Sequence, residues 1–437
     1  MKQEISTAVA MAVGLGAIIG AGIFVLSGTA IALSGSYSLI AFVVVGAIAV
    51  LVAIILGSLG YMMPHAKGAS YSYVYSAFGS EMGFVTGIVL YFCFATAVSA
   101  IALGFGSYLA SMLGVAQHVY AVAFAMALIL ALSIVNIAGV KKAAKMDFGL
   151  VMIKLVVLAV FIAFAVAFMF LHSHVLQANF ATPGSEGSIG AILAASVAIF
   201  FAYTGFQAIS TLTDRVKGGP RGAAKAIMLS VLISLVVYVL VDASLIFLAP
   251  ASSYKIAADP LAFALRSAAA PQWLSVLVDI GALIATTSAA LAMILASSRT
   301  IYQISADRLL PGALRKYNAK RDVAVNGVIA TGIIAAVMLF SGNIYIIAAI
   351  SNFGLLFAYL LSALAAIQLK RIHKDAMPLP FYPYLPIITI IALLVLLGGM
   401  PKEALIIGSA LIMGLIALYY FLRSFEYKKV VRVRLFK

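Results

Sequence analysis

The stretch VGLGAIIGAGIF, residues 13–24, carries four glycines, Gly14, Gly16, Gly20 and Gly22, inside an apolar run that extends over 8–33. A membrane-spanning helix needs about 20 such residues. Glycine in a helix interior costs about 1 kcal/mol relative to alanine, so four within nine positions oppose the helix that their neighbours favour. Two readings are open at this level. Either the chain unwinds near mid-membrane, or small residues let another helix approach closely.

Working outward, apolar runs of comparable length recur near 37–62, 82–111, 119–138, 147–171, 188–213, 222–249, 273–304, 323–341, 344–368, 384–400 and 404–422, separated by polar or Gly/Pro-rich clusters. The 437 residues are 65% hydrophobic and 9% charged, against about 25% charged in soluble domains. An ordinary soluble protein is excluded. The pattern predicts an all-α membrane protein with twelve transmembrane helices, forming one domain over 1–437.

The formal charge of +15 has the sign expected for nucleic-acid binding, but no basic stretch carries the fold signals of such a module. Sorted by loop, it becomes a topology map. Lys and Arg favour cytoplasmic loops, and 23 of the 28 lie on the side shared by both termini, three lie opposite, and Lys154 and Arg299 fall inside apolar runs. Both termini are expected in the cytoplasm, and the chain in the plasma membrane. The segment 64–80 reads as a short helix at the cytoplasmic surface, 172–187 as an outer loop and 250–272 as a short outer helix among prolines. The basic loop 305–322 reads as a solvated connector, and the tail 423–437 as a cytoplasmic basic anchor.

The sixth run has its own interruption, Gly205 in FFAYTGFQ (200–207). Runs one and six occupy equivalent places in two five-helix halves, 8–171 and 188–368, followed by two further helices over 384–422. Because five is odd, the halves insert with opposite topology, and paired broken helices in inverted repeats mark a transporter's binding site. Unwinding frees N–H groups that attract an anion and carbonyls that attract a cation. An amino acid's carboxylate and ammonium suit those two poles. Gly20, Ala21 and Gly22 are the expected carboxylate donors, with no bulky side chain in the way.

At these residues the chain resembles the amino acid-polyamine-organocation superfamily over nearly its whole length. The resemblance rests on IIGAGIF (18–24), PHAKGASYSYVYSAFGSEMGFVTG (64–87), FAYTGFQAISTLTDRVKGGPRGAAKAI (201–227), SSRTIYQISADRLLPGALRKYN (297–318) and SNFGLLFAYLLSALAAIQLKR (351–371), which occur in family order. It implies the five-plus-five inverted repeat of the sodium-coupled leucine transporter, with helices one and six unwound, plus two C-terminal helices. It also implies an amino-acid substrate held at Ile18–Gly22 and Phe201–Gly205, Ala202 included. The carbonyls of Ile18, Phe201 and Thr204 would take the ammonium, and the Phe201 ring would close over the substrate. Two departures stand out. Asp214-Arg215 followed by Gly219-Pro220 replaces the family's paired acids and Asn-Pro after span six. Gln207 stands where some arginine exchangers carry glutamate.

Lys154 lies in MDFGLVMIKLVVLAVFI (146–162). From composition alone, its stem either snorkels to the interface or holds the ammonium inside. The resemblance implies a lysine that stands in for sodium, touching carbonyls of the first span and a hydroxyl of span eight, for which Thr287 and Ser288 are candidates; protons then become a possible coupling partner. Asp242 and Asp279, the acids in span interiors, are open between a functional role and hydration from the outer vestibule, while Arg299 reads as snorkelling. Met293 and Cys93 are candidates for side-chain specificity. No cofactor and no metal site are expected, because the five histidines fall in loops or at span ends, and no enzyme motif appears. The expected function is sodium-independent secondary transport of neutral amino acids. A cationic amino acid or polyamine carrier is the alternative within the family, and a membrane receptor or channel the alternative outside it. Which amino acid is carried, the transport mode and any partner subunit are not legible in the sequence.

Overall fold

The computed structural model describes residues 6–63, 70–115, 118–139, 141–172, 179–180, 187–205, 216–255, 259–318, 321, 323–372 and 378–435, with the backbone alone for 13, 141–148, 220 and 423–435. The named elements are all helices, with no strand among the described residues. In chain order the helices are α1 (Thr7–Ile18), α2 (Ala21–Ser34), α3 (Ser38–Met62), α4 (Ser70–Phe78), α5 (Ser80–Met112), α6 (His118–Ala138), α7 (Lys141–Leu171), α8 (Ile189–Phe200), α9 (Gly219–Leu248), α10 (Pro260–Ser267), α11 (Gln272–Ala306), α12 (Val325–Leu339), α13 (Ile344–Ile372), α14 (Tyr384–Gly398) and α15 (Lys402–Leu435).

Each apolar run falls on helix, and two are interrupted. The first divides into α1 and α2 around Ile19 and Gly20. The sixth leaves α-helical geometry at Phe200 and tightens into a 3₁₀ turn over Phe201–Tyr203; the rest of that run, from 206, lies outside the described residues. Eight helical stretches among the described residues are long and apolar enough to cross a membrane, counting α2 and α3 as one, and four shorter apolar helices accompany them, namely Thr7–Ile18, Ile189–Tyr203, Val325–Leu339 and Tyr384–Gly398. Helices occur in two of the connections, α4 within 64–80 and α10 within 250–272.

Local chemistry sets several helix ends. The Ser6 hydroxyl accepts the Val9 N–H at 3.2 Å and caps α1, and Ser188 does the same for α8 through Ala191 at 3.2 Å. Prolines in the first turns of α9 and α10 occupy positions where a missing N–H costs nothing.

The long helix α5 is buried for most of its length and packs against α4, α6, α11, α12 and α13. Around it, α1 lies on α9 and α7, while α2 lies on α8. The broken helices therefore sit inside the bundle. Its periphery is apolar: Leu130 and Ile134 of α6, Ile333 and Val337 of α12, and Ile406 and Met413 of α15 are exposed. A soluble fold would not leave such a girdle bare, whereas hydrocarbon solvates it.

Candidate functional site

The first break is a tight reversal of hydrogen bonding. Ile19 donates to the Leu15 carbonyl at 2.7 Å, and Gly20 donates to the Ile18 carbonyl at 2.7 Å, with Ile19 at φ −75°, ψ 67°. These are the marks of an inverse γ-turn. No side chain caps α2 at Gly20, so the N–H groups of Ala21, Gly22 and Ile23 have no acceptor within the helix. Of the three donors expected for a carboxylate, Gly20 is thus turned to Ile18, while Ala21 and Gly22 point with Ile23 along the axis of α2.

The second break lies directly against the first. A Cβ on Gly22 would run into the backbone of Ala202, and one on Gly205 would stand 2.5 Å from the Ala17 carbonyl oxygen. Gly205 also has φ +115°, a region that side-chain-bearing residues rarely adopt. Phe201 and Ala202 are buried, and Thr204 is 8% exposed. The Phe201 carbonyl accepts both the Thr204 N–H at 3.2 Å and the Thr204 hydroxyl at 2.8 Å.

Tyr238, on α9, joins the two breaks and was not singled out in the sequence. Its hydroxyl lies 2.7 Å from the Ile18 carbonyl oxygen and 2.9 Å from that of Ala202. The ring is held by edge contacts with Tyr203 at 5.1 Å and Phe42 at 6.1 Å. One phenol proton thus serves two carbonyls at the ends of two interrupted helices.

Lys154 is 1% exposed, so it is buried rather than reaching the surface, and its Nζ donates to the Gly16 carbonyl at 3.4 Å. The first-span glycines combine the two readings, a break in the helix and close packing. Gly16 brings α1 against Val151 of α7, and Gly20 and Gly22 flank the break. Gly20 also faces Ala289 of α11, 3.0 Å from where its Cβ would be. The neighbouring Thr287 and Ser288 are half-buried, and the Ser288 hydroxyl donates to Ala285 of its own helix at 3.1 Å.

Other candidates lie elsewhere. The Ser38 hydroxyl donates to fully buried Asp242 at 2.7 Å. Asp279 is buried on α11 near Arg266 and Asp259, and Arg266 bonds Asp259 at 3.0 Å and the Ser111 hydroxyl at 2.9 Å. Arg299 is exposed. Met293 and Cys93 are buried, and Ser351 donates to the Cys93 carbonyl at 3.0 Å. Gln207, Asp214 and Arg215 lie outside the described residues. No group of three or more potential metal ligands occurs among the described residues.

A family model described as amino acid permease matches residues 5–420. The chain belongs to the amino acid permease family. Individual permeases and transporters match over similar lengths. The branched-chain amino acid permease of Bacillus subtilis is 27% identical, covering 98% of this chain and 95% of its own. The methylthioribose transporter of the same organism is 29% identical over 86% of this chain and 84% of its own. Cationic amino acid transporter 3, mitochondrial, of Arabidopsis thaliana is 26% identical over 85% of this chain and 63% of its own. With its apolar helices, membership makes this permease a multi-pass membrane protein of the superfamily that its motifs resemble.

Proposed function

We propose that this permease is a sodium-independent secondary carrier of neutral amino acids in the cell membrane, working by alternating access. The reading takes twelve spans arranged as a five-plus-five inverted repeat, 8–171 and 188–368, with two additional helices over 384–422 and both termini in the cytoplasm. The observation that carries it is the contact of two interrupted helices, Gly22 against Ala202 and Gly205 against Ala17. Unsatisfied backbone is tolerated at membrane depth only where it meets protein or a ligand-holding cavity. Here the free N–H groups of α2 suit a carboxylate, and the carbonyls of Ile18, Phe201 and Thr204 suit an ammonium, which shares the first two with the donors already on them, Gly20 and Tyr238 on Ile18 and Thr204 on Phe201. Phe201 is the aromatic side chain that covers the bound molecule.

Lys154 takes the place of a sodium ion in this reading. Its ammonium supplies fixed positive charge to the Gly16 carbonyl, tying α7 to α1, with Thr287 and Ser288 as hydroxyl partners when α11 moves. Neutral substrates fit because Asp242, one turn from Tyr238 on α9, accepts the Ser38 hydroxyl, and Asp279 lies near Arg266. The similar proteins include a branched-chain amino acid permease and a cationic amino acid transporter, so the substrate is decided by assay. An uptake panel of all amino acids and their decarboxylated amines in liposomes, with and without a pH gradient, tests the reading. Saturable uptake of neutral amino acids supports it; selective uptake of amines or cationic amino acids, or large ohmic currents, contradicts it.

A further inference from the structure

Asn352, on α13, is completely buried, and its side-chain Nδ2 donates to the Val197 carbonyl at 2.6 Å. Val197 is among the last four residues of α8, whose carbonyls lack partners within the helix. A side chain from α13 therefore caps the helix that breaks at Phe201. Because the partner on Val197 is a carbonyl, which only accepts, the amide can be placed only one way round, and its Oδ1 is the atom left over. That oxygen is buried and has no hydrogen-bond partner among the described residues. Its neighbours in sequence face the other way: Ser351 bonds Cys93 of α5, and Gly354 packs on Val89 and Cys93. Asn352 thus turns toward α8 while Ser351 and Gly354 turn toward α5.

Val197 lies one helical turn before Phe201, and a buried acceptor held in orientation there, with no donor among the described residues, is suited to reading a substrate side chain. A pocket built to bond a hydroxyl or amide rejects an isostere without one far more strongly than an apolar pocket rejects an added hydroxyl. We infer that Asn352 Oδ1 receives a hydrogen bond from the substrate's side chain, so that this permease favours small neutral amino acids carrying a hydroxyl or amide donor. This rests on the reading of the two breaks as the amino-acid site. It narrows that reading from neutral amino acids in general to polar ones.

Threonine and valine are near-isosteres that differ in the donor, and they provide the test. Uptake of each, labelled, is measured in liposomes holding the wild-type chain, Asn352→Leu or Asn352→Asp. The wild type is expected to show a KM for threonine at least about tenfold below that for valine. Asn352→Leu is expected to bring the two within about twofold. Asn352→Asp keeps an acceptor but loses the bond to Val197, and is expected to retain the threonine preference while raising both KM values; it serves if the leucine variant fails to fold. Equal or better use of valine by the wild type, or an unchanged ratio in Asn352→Leu, overturns the inference. Wild-type uptake of other amino acids but neither of these overturns it alone, whereas uptake of no amino acid overturns the reading beneath it as well.

Discussion

The Tyr238 hydroxyl lies 2.7 Å from the carbonyl oxygen of Ile18, the last residue before the first helix breaks. The same hydroxyl lies 2.9 Å from the Ala202 carbonyl oxygen, so a single proton serves the ends of two interrupted helices. Tyr238→Phe keeps the ring contacts with Tyr203 and Phe42 and removes that proton donor. A buried hydrogen bond of this kind contributes about 1–2 kcal/mol, and the carbonyls left behind lose their pairing. The expected result is a rise in KM of about five- to thirtyfold, with a maximal rate changed much less, read from initial rates of uptake. An unchanged KM would show that the tether plays no part in arranging the site.

Two glycines hold the breaks in contact, for different reasons. Gly22→Ala introduces a methyl group into the Ala202 backbone, and Gly205→Ala adds a Cβ against Ala17 at φ +115°. Overpacking costs about 1–3 kcal/mol, and the positive φ adds strain at the second position. Both variants are expected to lose transport and to yield less monodisperse protein in detergent. Gly414, with nothing within 4 Å of its Cβ position, is expected to accept alanine without loss.

On the side that the basic loops assign to the cytoplasm, α4 is tied to the end of α11. Tyr71 donates to the Asp307 carboxylate at 2.6 Å, and Gln303 donates to the same group at 3.2 Å. Burial, and then the Asp307 carboxylate, hold the Tyr71 proton well above the ordinary phenol range. The unfolded phenol ionises near pH 10 while the folded one stays protonated, so the unfolded state binds fewer protons there and stability falls as pH rises past about 10. Tyr71→Phe is expected to lower the thermal midpoint by a few degrees at neutral pH, and to flatten the alkaline loss of stability. Thermal unfolding in detergent across pH checks both.

Much of the architecture was legible because apolar runs, loop charge and glycine placement are properties of contiguous sequence. The quoted run 13–24 is where α1 ends and α2 begins, and the proline-bounded stretch 250–272 contains α10. The glycines proved more than one thing at once, since Gly16 serves packing against Val151 whereas Gly20 flanks the turn. Residues that act across the bundle left little trace. Tyr238 and Asn352 are single polar groups within apolar runs, and only the three-dimensional fold shows that one reaches Ile18 and the other Val197. Lys154 was conspicuous by charge, yet which carbonyl it met depended on how α7 crosses α1.

Sodium independence through Lys154, together with carriage between the two breaks, is the central claim. It is tested most directly by counterflow, with labelled amino acid outside and unlabelled amino acid inside liposomes holding the wild type or Lys154→Ala. The account predicts saturable, counter-substrate-stimulated uptake by the wild type that is unchanged when sodium is replaced by potassium or choline, and at least about a tenfold loss in Lys154→Ala, because removing the ammonium leaves the Gly16 carbonyl without that donor. Uptake that requires sodium, or a Lys154→Ala variant that transports as the wild type does, would contradict it.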